Sequence, residues 1–406
     1  MKKILLLFVA AIMAASVSAQ EESDVYTHSN LRYLLNHADK TATVTSYYRT
    51  HNGKYDNQNC YSGDIVIPEK LDNDYTVTAI GDECFNVCEQ LTSVTMPNTI
   101  KTIGRYGFSY CNQLTSITIP ASVEKIEDCC FHECRGIETL TIEDGDSPLT
   151  LGNSTFTTGT VFYELFGLKT VYVGRNIESE CPAFSNCTSI TSIKFSKKVT
   201  SLQKSMCEAM SGLEELNLST SLEEIPEKAF YNCKALRSIA IGNNLNVIGD
   251  MAFSMNNLPG INLEKVKLTY IGYRAFEYST KATFLMLPET LTSIGDNAFD
   301  SCNALEEVTC HAVTPPACNG GYGHVFSMVD LNKCKLKVPE ASIEDYKTAT
   351  VWKDFFSIES GINNVQADGS VVTDFYTIDG QHRYSARKGL NIMRTKDGQT
   401  RKVVVR

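Results

Sequence analysis

The side chains best suited to chemistry in this sequence are its fifteen cysteines and seven histidines. Cys84-x3-Cys88 and Cys130-x3-Cys134 have a spacing that metal sites use, and Cys310-His311 with Cys318 and Cys334 adds a third set of sulfur and imidazole donors. The third set lacks the paired cysteine step of structural zinc sites, while Cys88 and Cys134 belong to a recurring pattern that explains them without a metal. Fifteen cysteines could instead build a disulfide framework. The histidines are scattered, with no repeat-related carboxylate or nucleophile beside them. No Gly-rich phosphate loop opens a helix, and no Gly-x-Ser-x-Gly elbow occurs. The sequence therefore predicts no enzyme, no cofactor and no metal, and function has to be sought in whatever architecture the repeat builds.

That repeat is carried by phenylalanine. Phe85, Phe108 and Phe131, then Phe156 and Phe184, then Phe230, Phe253, Phe276 and Phe299 recur, most often at intervals of 23 residues, with Cys207 in the slot that completes the series. Around each lies one frame: Ile80-Gly81, Phe85, Cys88, Leu91, Val94, Met96 and Pro97 return as Ile103-Gly104, Phe108, Cys111, Leu114, Ile117, Ile119 and Pro120. A period of 20 to 29 residues with a Leu-x-x-Leu-x-Leu core marks a leucine-rich-repeat solenoid. Phe, Cys and Leu three apart put one apolar edge on a short helical or 3₁₀ turn. The Ile-x-Ile step has the period of a strand with one buried face, and the proline after it ends the strand. Glycine follows isoleucine at 81, 104, 249, 272 and 295, but Pro226 holds the same place, so close packing rather than a left-handed backbone explains it. The predicted fold class is an α/β repeat solenoid, right-handed and curved, with a parallel β-sheet and a small C-terminal β segment. No coil is stable alone; stacking supplies the core.

Six cysteines, Cys88, Cys111, Cys134, Cys187, Cys233 and Cys302, share one coil position. Stacked strands lie ~4.8 Å apart, within disulfide range, yet side chains that point the same way oppose disulfide geometry. Mostly free, buried thiols are expected; Cys318 and Cys334, both in the irregular end region, are the pair most prone to a disulfide, and their state is left open.

The predicted organisation is a signal peptide over residues 1–19, an N-terminal cap over 20–74, about ten coils over 75–310, a C-terminal cap over 311–360 and a β-rich segment over 361–406. Lys2 and Lys3, the apolar run 4–15 and the Val17-Ser18-Ala19 step make the leader; the run is too short to span a membrane, so no transmembrane helix is predicted. Residues 144–148 and 155–160 read as surface excursions. In the cap, Ser342 sits where a helix N-cap would, the helix running toward Trp352, with Phe355, Phe356 and Ile358 sealing the last coil. With 37 Lys and Arg against 47 Asp and Glu, the net charge of −10 excludes a general nucleic-acid binder.

A binding face is the remaining route to function. Residues between the apolar strand positions point outward, and the early coils offer a Ser/Thr carpet, Ser93, Thr95, Ser116, Thr118, Thr139 and Thr141. Tyr172 and Lys194, with Phe284 and Met286 further along, interrupt it with groups that anchor interfaces, and these four are the candidate binding residues.

The frame Ile-Gly-x-x-x-Phe-x-x-Cys-x-x-Leu-x-x-Ile-x-Ile-Pro, the lead-in Tyr61-Ser62-Gly63-Asp64-Ile65-Val66-Ile67-Pro68 and the closing Trp352-Lys353-Asp354-Phe355 resemble the BspA-like leucine-rich-repeat proteins of Gram-negative anaerobes over roughly residues 29 to 358. The resemblance implies a secreted or surface protein that mediates adhesion through a protein ligand, such as host extracellular matrix. The alternatives are an envelope structural component or an accessory glycan-binding protein. Phe375-Tyr376-Thr377-Ile378-Asp379-Gly380-Gln381, with 388–392 and 402–405, is similar to the C-terminal sorting domains of type IX secretion, implying export to the medium or to the outer surface of a Gram-negative bacterium.

Overall fold

The computed structural model describes residues 25–46, 60–153, 160–162, 165–318 and 324–360, together with the C-terminal strands 372–376, 382–383, 389–395 and 400–405. The expected leader, residues 1–19, lies outside these.

The period-two apolar step forms strands where the sequence places them. Ser116–Ile119, Thr139–Ile142, Thr170–Val173, Ser192–Phe195, Glu215–Asn217 and Ser238–Ala240 pair in parallel, one coil beside the next, with Ile117, Leu140, Val171, Ile193 and Leu216 aligned in one buried row. After a break the face resumes with Ile261–Asn262, Phe284–Leu287, Glu307–Cys310, Lys335–Val338 and Ser357–Ser360. Before it, Gly63–Val66 pairs with Leu91–Thr95 as a separate ribbon.

Most coils also have a second, shorter strand that spacing alone does not predict. In Thr76–Ile80, Thr102–Ile103, Val247–Ile248, Tyr270–Ile271 and Ser293–Ile294 the isoleucine of the Ile-Gly step ends the strand. Thr76–Ile80, Thr102–Ile103, Lys125–Ile126, Leu149–Leu151 and Ile177–Glu178 form one parallel ladder, and Glu224–Ile225, Val247–Ile248, Tyr270–Ile271, Ser293–Ile294 and Ala317–Cys318 form another. The glycines after these strands have no positive φ. A Cβ on Gly104, Gly249 or Gly295 would lie 2.5, 2.9 or 2.6 Å from a backbone nitrogen of the preceding coil, which is the close approach expected for them. The first ladder begins on an antiparallel meander, Val25–His28, Leu31–Asn36 and Thr41–Thr45, which covers the open end of the stack.

The Phe-Cys-Leu edge is buried as expected, but it is not a 3₁₀ helix. Residues two before and two after the phenylalanine are left-handed in coil after coil: Glu83 and Val87, Tyr106 and Tyr110, Lys228 and Asn232, Arg274 and Tyr278, all with φ between 52° and 61°. The amides of Cys84, Asn86 and Cys88 close i→i+3 turns within the coil. Those of Glu83, Phe85 and Val87 point across the joint and each donate at 2.8 Å to Arg105, Gly107 and Ser109 carbonyls. A helix would commit every amide to its own coil; alternating handedness gives every second one to the neighbour, so each buried N–H finds a partner. Left-handed geometry costs an L-residue roughly 1–2 kcal/mol, and this third inter-coil ladder offsets it.

Inside, the phenylalanine rings form a column. Phe85, Phe108 and Phe131 stack at centroid distances of 5.0 and 5.6 Å, and Phe230, Phe253, Phe276, Phe299 and Phe326 at 5.3 to 5.6 Å, every one of them at most 2% exposed. Phe156, assigned to the series from spacing, lies outside the described residues; Phe162 occupies its place between Phe131 and Phe184. The excursion before it displaces the count. Cys207 does fill the missing slot, fully buried between Met206 and Met210 on its own coil, so the column is interrupted there.

At the far end the α-helix is confined to Ile343–Thr348 among the described residues, and the solenoid is otherwise β-rich. Ser342 precedes the helix but does not cap it. A 3₁₀ turn, Glu340–Ser342, runs straight in, so Ser342 is already in the αR region and its buried hydroxyl makes no hydrogen bond. Tyr346 donates to Ala312 O at 2.8 Å and Trp352 Nε1 to Pro316 O at 2.9 Å. Trp352 and Phe355 close on Phe326, whereas Phe356, expected in the seal, lies at the bend before the strand Ser357–Ser360 and is 82% exposed. The C-terminal strands Val372–Tyr376, His382–Arg383, Gly389–Thr395 and Thr400–Val405 form the expected small antiparallel sheet.

Candidate binding surface

Tyr172 and Lys194 occupy matching places on adjacent strands, Thr170–Val173 and Ser192–Phe195, and are direct register partners. The strand alternation that buries Val171 and Ile193 forces both outward. Lys194 is exposed and Tyr172 half-buried. The Tyr172 hydroxyl donates to Asp144 Oδ1 at 2.7 Å, and that bond leads the interactions holding the Asp144 carboxyl below its usual range. Two residues on, Asp146 pairs with Lys198 Nζ at 2.6 Å. The excursion 144–148 is thus folded back along the sheet and fastened at both carboxylates. Beneath it the buried Arg175 reaches across an intervening coil to Ala121 O and Pro120 O, at 2.8 and 2.9 Å.

Phe284 and Met286 lie on Phe284–Leu287, beyond the sheet break, and are not brought to the Tyr172–Lys194 pair. Both are half-buried. The Phe284 ring covers Gly260, where a Cβ would collide with it, and Met286 sits between Asn262 and Thr309. The four expected residues therefore form two separate pairs on two sheets.

All fifteen cysteines are free thiols, Cys318 and Cys334 included. The ladder position is more than a small apolar space: Cys111, Cys134 and Cys302 donate S–H to Phe85, Phe108 and Phe276 carbonyls at 3.1, 2.7 and 3.4 Å. Cys233 does the same to Cys207 O at 3.2 Å. Burial pushes the Cys187, Cys233 and Cys302 thiols up to about 12. Thiols held protonated in this way are poor nucleophiles and poor metal ligands. Cys310 Sγ lies 3.2 Å from the Tyr346 hydroxyl oxygen, and Cys318 donates to Pro316 O at 3.6 Å, so these two serve the cap. Among the described residues no three His, Cys, Asp or Glu side chains are grouped to hold a metal, and no helix is long and apolar enough to cross a membrane.

A second surface feature escaped the sequence reading. The left-handed turns project Tyr110, His132, Arg135 and Phe166 from three successive coils, with Tyr110 41% and Phe166 55% exposed. The Tyr110 hydroxyl lies 3.3 Å from His132 Nε2, and the Arg135 guanidinium stands 5.8 Å from the centre of the Phe166 ring. The only signal available was aromatic, imidazole or charged residues one, two and four places after the column position.

Parallel strands on two edges, a stacked tight-turn edge and one continuous apolar interior define a repeat scaffold of the leucine-rich-repeat type. The chain belongs to the BspA-type leucine-rich-repeat family, whose pattern matches over residues 57–179, 157–283 and 207–315, in six copies. A comparison with curated proteins finds no match. Solved structures similar in fold include a leucine-rich-repeat protein from Bacteroides ovatus, 18% identical, covering 83% of this chain and 99% of its own, with TM-score 0.44. A T. pallidum leucine-rich-repeat protein is 15% identical over 69% of this chain and 90% of its own, with TM-score 0.35. A leucine-rich cell surface protein from Faecalibacterium prausnitzii is 21% identical over 73% and 95%, with TM-score 0.25.

Proposed function

We propose that this protein is a secreted or outer-surface adhesin of a Gram-negative bacterium that holds a protein ligand, such as host extracellular matrix, on its long-strand face. On this reading residues 1–19 direct export and residues 361–406 act as the sorting segment. The observation that carries the proposal is the in-register Tyr172–Lys194 pair. An aromatic ring pinned by Asp144 has already lost its rotamer freedom, and a cation stands directly beside it on a rigid sheet. Pre-fixed anchors of this kind lose less entropy on binding than mobile side chains. The scaffold's repeated geometry supplies area: twelve of its fifteen thiols are buried, and the outward strand residues of the early coils are hydroxyls. Phe284 and Met286 would form a second contact further along the same edge.

The test is capture of immobilised host matrix proteins by the purified chain and by the Tyr172→Ala/Lys194→Ala double variant. The expected result is binding that falls at least tenfold in the variant; binding of equal strength would end the assignment to this pair.

A further inference from the structure

The turn edge carries a second cluster of polar and aromatic side chains, separate from the strand face. Two rows of side chains run along it, two and four places after the column residue: Tyr110 beside Glu133, and Asn112, Arg135 and Phe166 in succession. They line or border an open cleft of about 610 Å³. The polar groups are already oriented by one another. Arg135 donates its backbone N–H to Asn112 Oδ1 at 3.4 Å and its Nε to Glu133 Oε2 at 2.5 Å. Those contacts leave the Asn112 amide N–H groups, the terminal guanidinium nitrogens of Arg135 and the second Glu133 oxygen without a protein partner among the described residues, on side chains that line the cleft. Tyr110 meets His132 edge to face, with ring planes 89° apart, which fixes how its own ring stands on the surface.

Size decides the kind of ligand. The cluster spans two coil steps, 5.6 and 6.2 Å as measured on the rings beneath it. A protein partner needs about 800 Å² of its own surface covered, several times what this cluster offers. One or two sugar rings fit. A pyranose has a face of C–H groups, which the negative face of an aromatic ring attracts. Its neighbouring hydroxyls both donate and accept, and planar carboxylate, amide and guanidinium groups match such pairs. Glu133 and Arg135 cancel each other's charge at contact distance, so the cleft has no net attraction for an anionic sugar.

We infer that the turn edge at Tyr110, Asn112, Glu133 and Arg135 binds a neutral hexopyranose unit of a glycan, with the sugar stacked on Tyr110. The test is a glycan array carrying neutral polysaccharide fragments, neutral glycoprotein glycans, sialylated glycans and sulfated glycans, probed with the full chain and followed by titration of the strongest neutral probe. Binding to neutral probes is expected. The two neutral arms separate a polysaccharide source from a glycoprotein source, and either supports the site. Tyr110→Ala should weaken binding at least tenfold and Glu133→Gln several-fold. Tyr110→Phe, which keeps the ring, and Lys281→Ala, on a distant coil, should match the parent. Both tested side chains are at the surface, and an unchanged circular dichroism spectrum confirms the fold. No binding to neutral probes at millimolar concentration, binding to anionic probes alone, or full binding by Tyr110→Ala would each overturn the inference.

Discussion

A single side-chain position shows how strictly one coil constrains the next. Three places after each column residue the slot is buried and faces a main-chain carbonyl of the preceding coil, usually that of its phenylalanine. Cysteine reaches it with S–H, and Asn256 reaches Phe230 O with its amide at 3.2 Å. Ser279 holds the same slot with no exposure, yet its hydroxyl makes no hydrogen bond. A C–O bond is shorter than a C–S bond, so the serine falls short. The usual conservative swap should therefore harm this protein: Cys233→Ser is expected to lower stability by about 1–3 kcal/mol, the range for an orphaned buried polar group. Ser279→Cys should raise it by about 1 kcal/mol. Urea denaturation of the two variants checks both signs, and equal midpoints for parent and Cys233→Ser would contradict the account.

At the level of the element, the tight-turn edge is where sequence and structure part. Strands, apolar faces, glycine packing and the cysteine ladder were legible because each follows from a spacing: residues two apart share a strand face, and recurrence at 23 shows what stacks on what. The left-handed pairs were not. Val87, Tyr106, Lys228 and Arg274 are not residues that favour φ > 0, and it is the neighbouring coil's carbonyls, not local propensity, that put them there. The short strands escaped for a related reason, since two residues carry no period of their own. The Tyr172–Lys194 neighbourhood followed from the 22-residue step between them, whereas the turn-edge cluster depends on a backbone geometry that propensity argues against. The same reasoning makes a prediction. Glycine adopts φ > 0 without penalty, so Lys228→Gly, with φ 55° in the parent, should stabilise the protein by roughly 0.5–1 kcal/mol despite removing a side chain. A thermal midpoint that falls would show that the turn is not strained.

For the whole molecule, what matters is where the stacking devices fail. The long-strand face is broken between Leu91–Thr95 and Ser116–Ile119 and again between Ser238–Ala240 and Ile261–Asn262, while the short-strand ladders meet no break at those joints. The short-strand ladder lapses between Ile177–Glu178 and Glu224–Ile225, where the long strands pair without interruption. The ring column also lapses there, at Cys207, leaving long strands and turn amides, such as Phe184 N–H to Met206 O at 2.8 Å, to carry the joint. In an array where each repeat is held by its neighbours, local stability follows the local interface. Hydrogen exchange should thus be fastest in the coil around residues 196–213 and slower in the coils on either side; uniform protection would refute this. The interruptions on the two strand edges fall at different levels, as vertical joints do in bonded brickwork. A crack opened on one side runs into an unbroken course on the other, so the wall can bow under load before it parts.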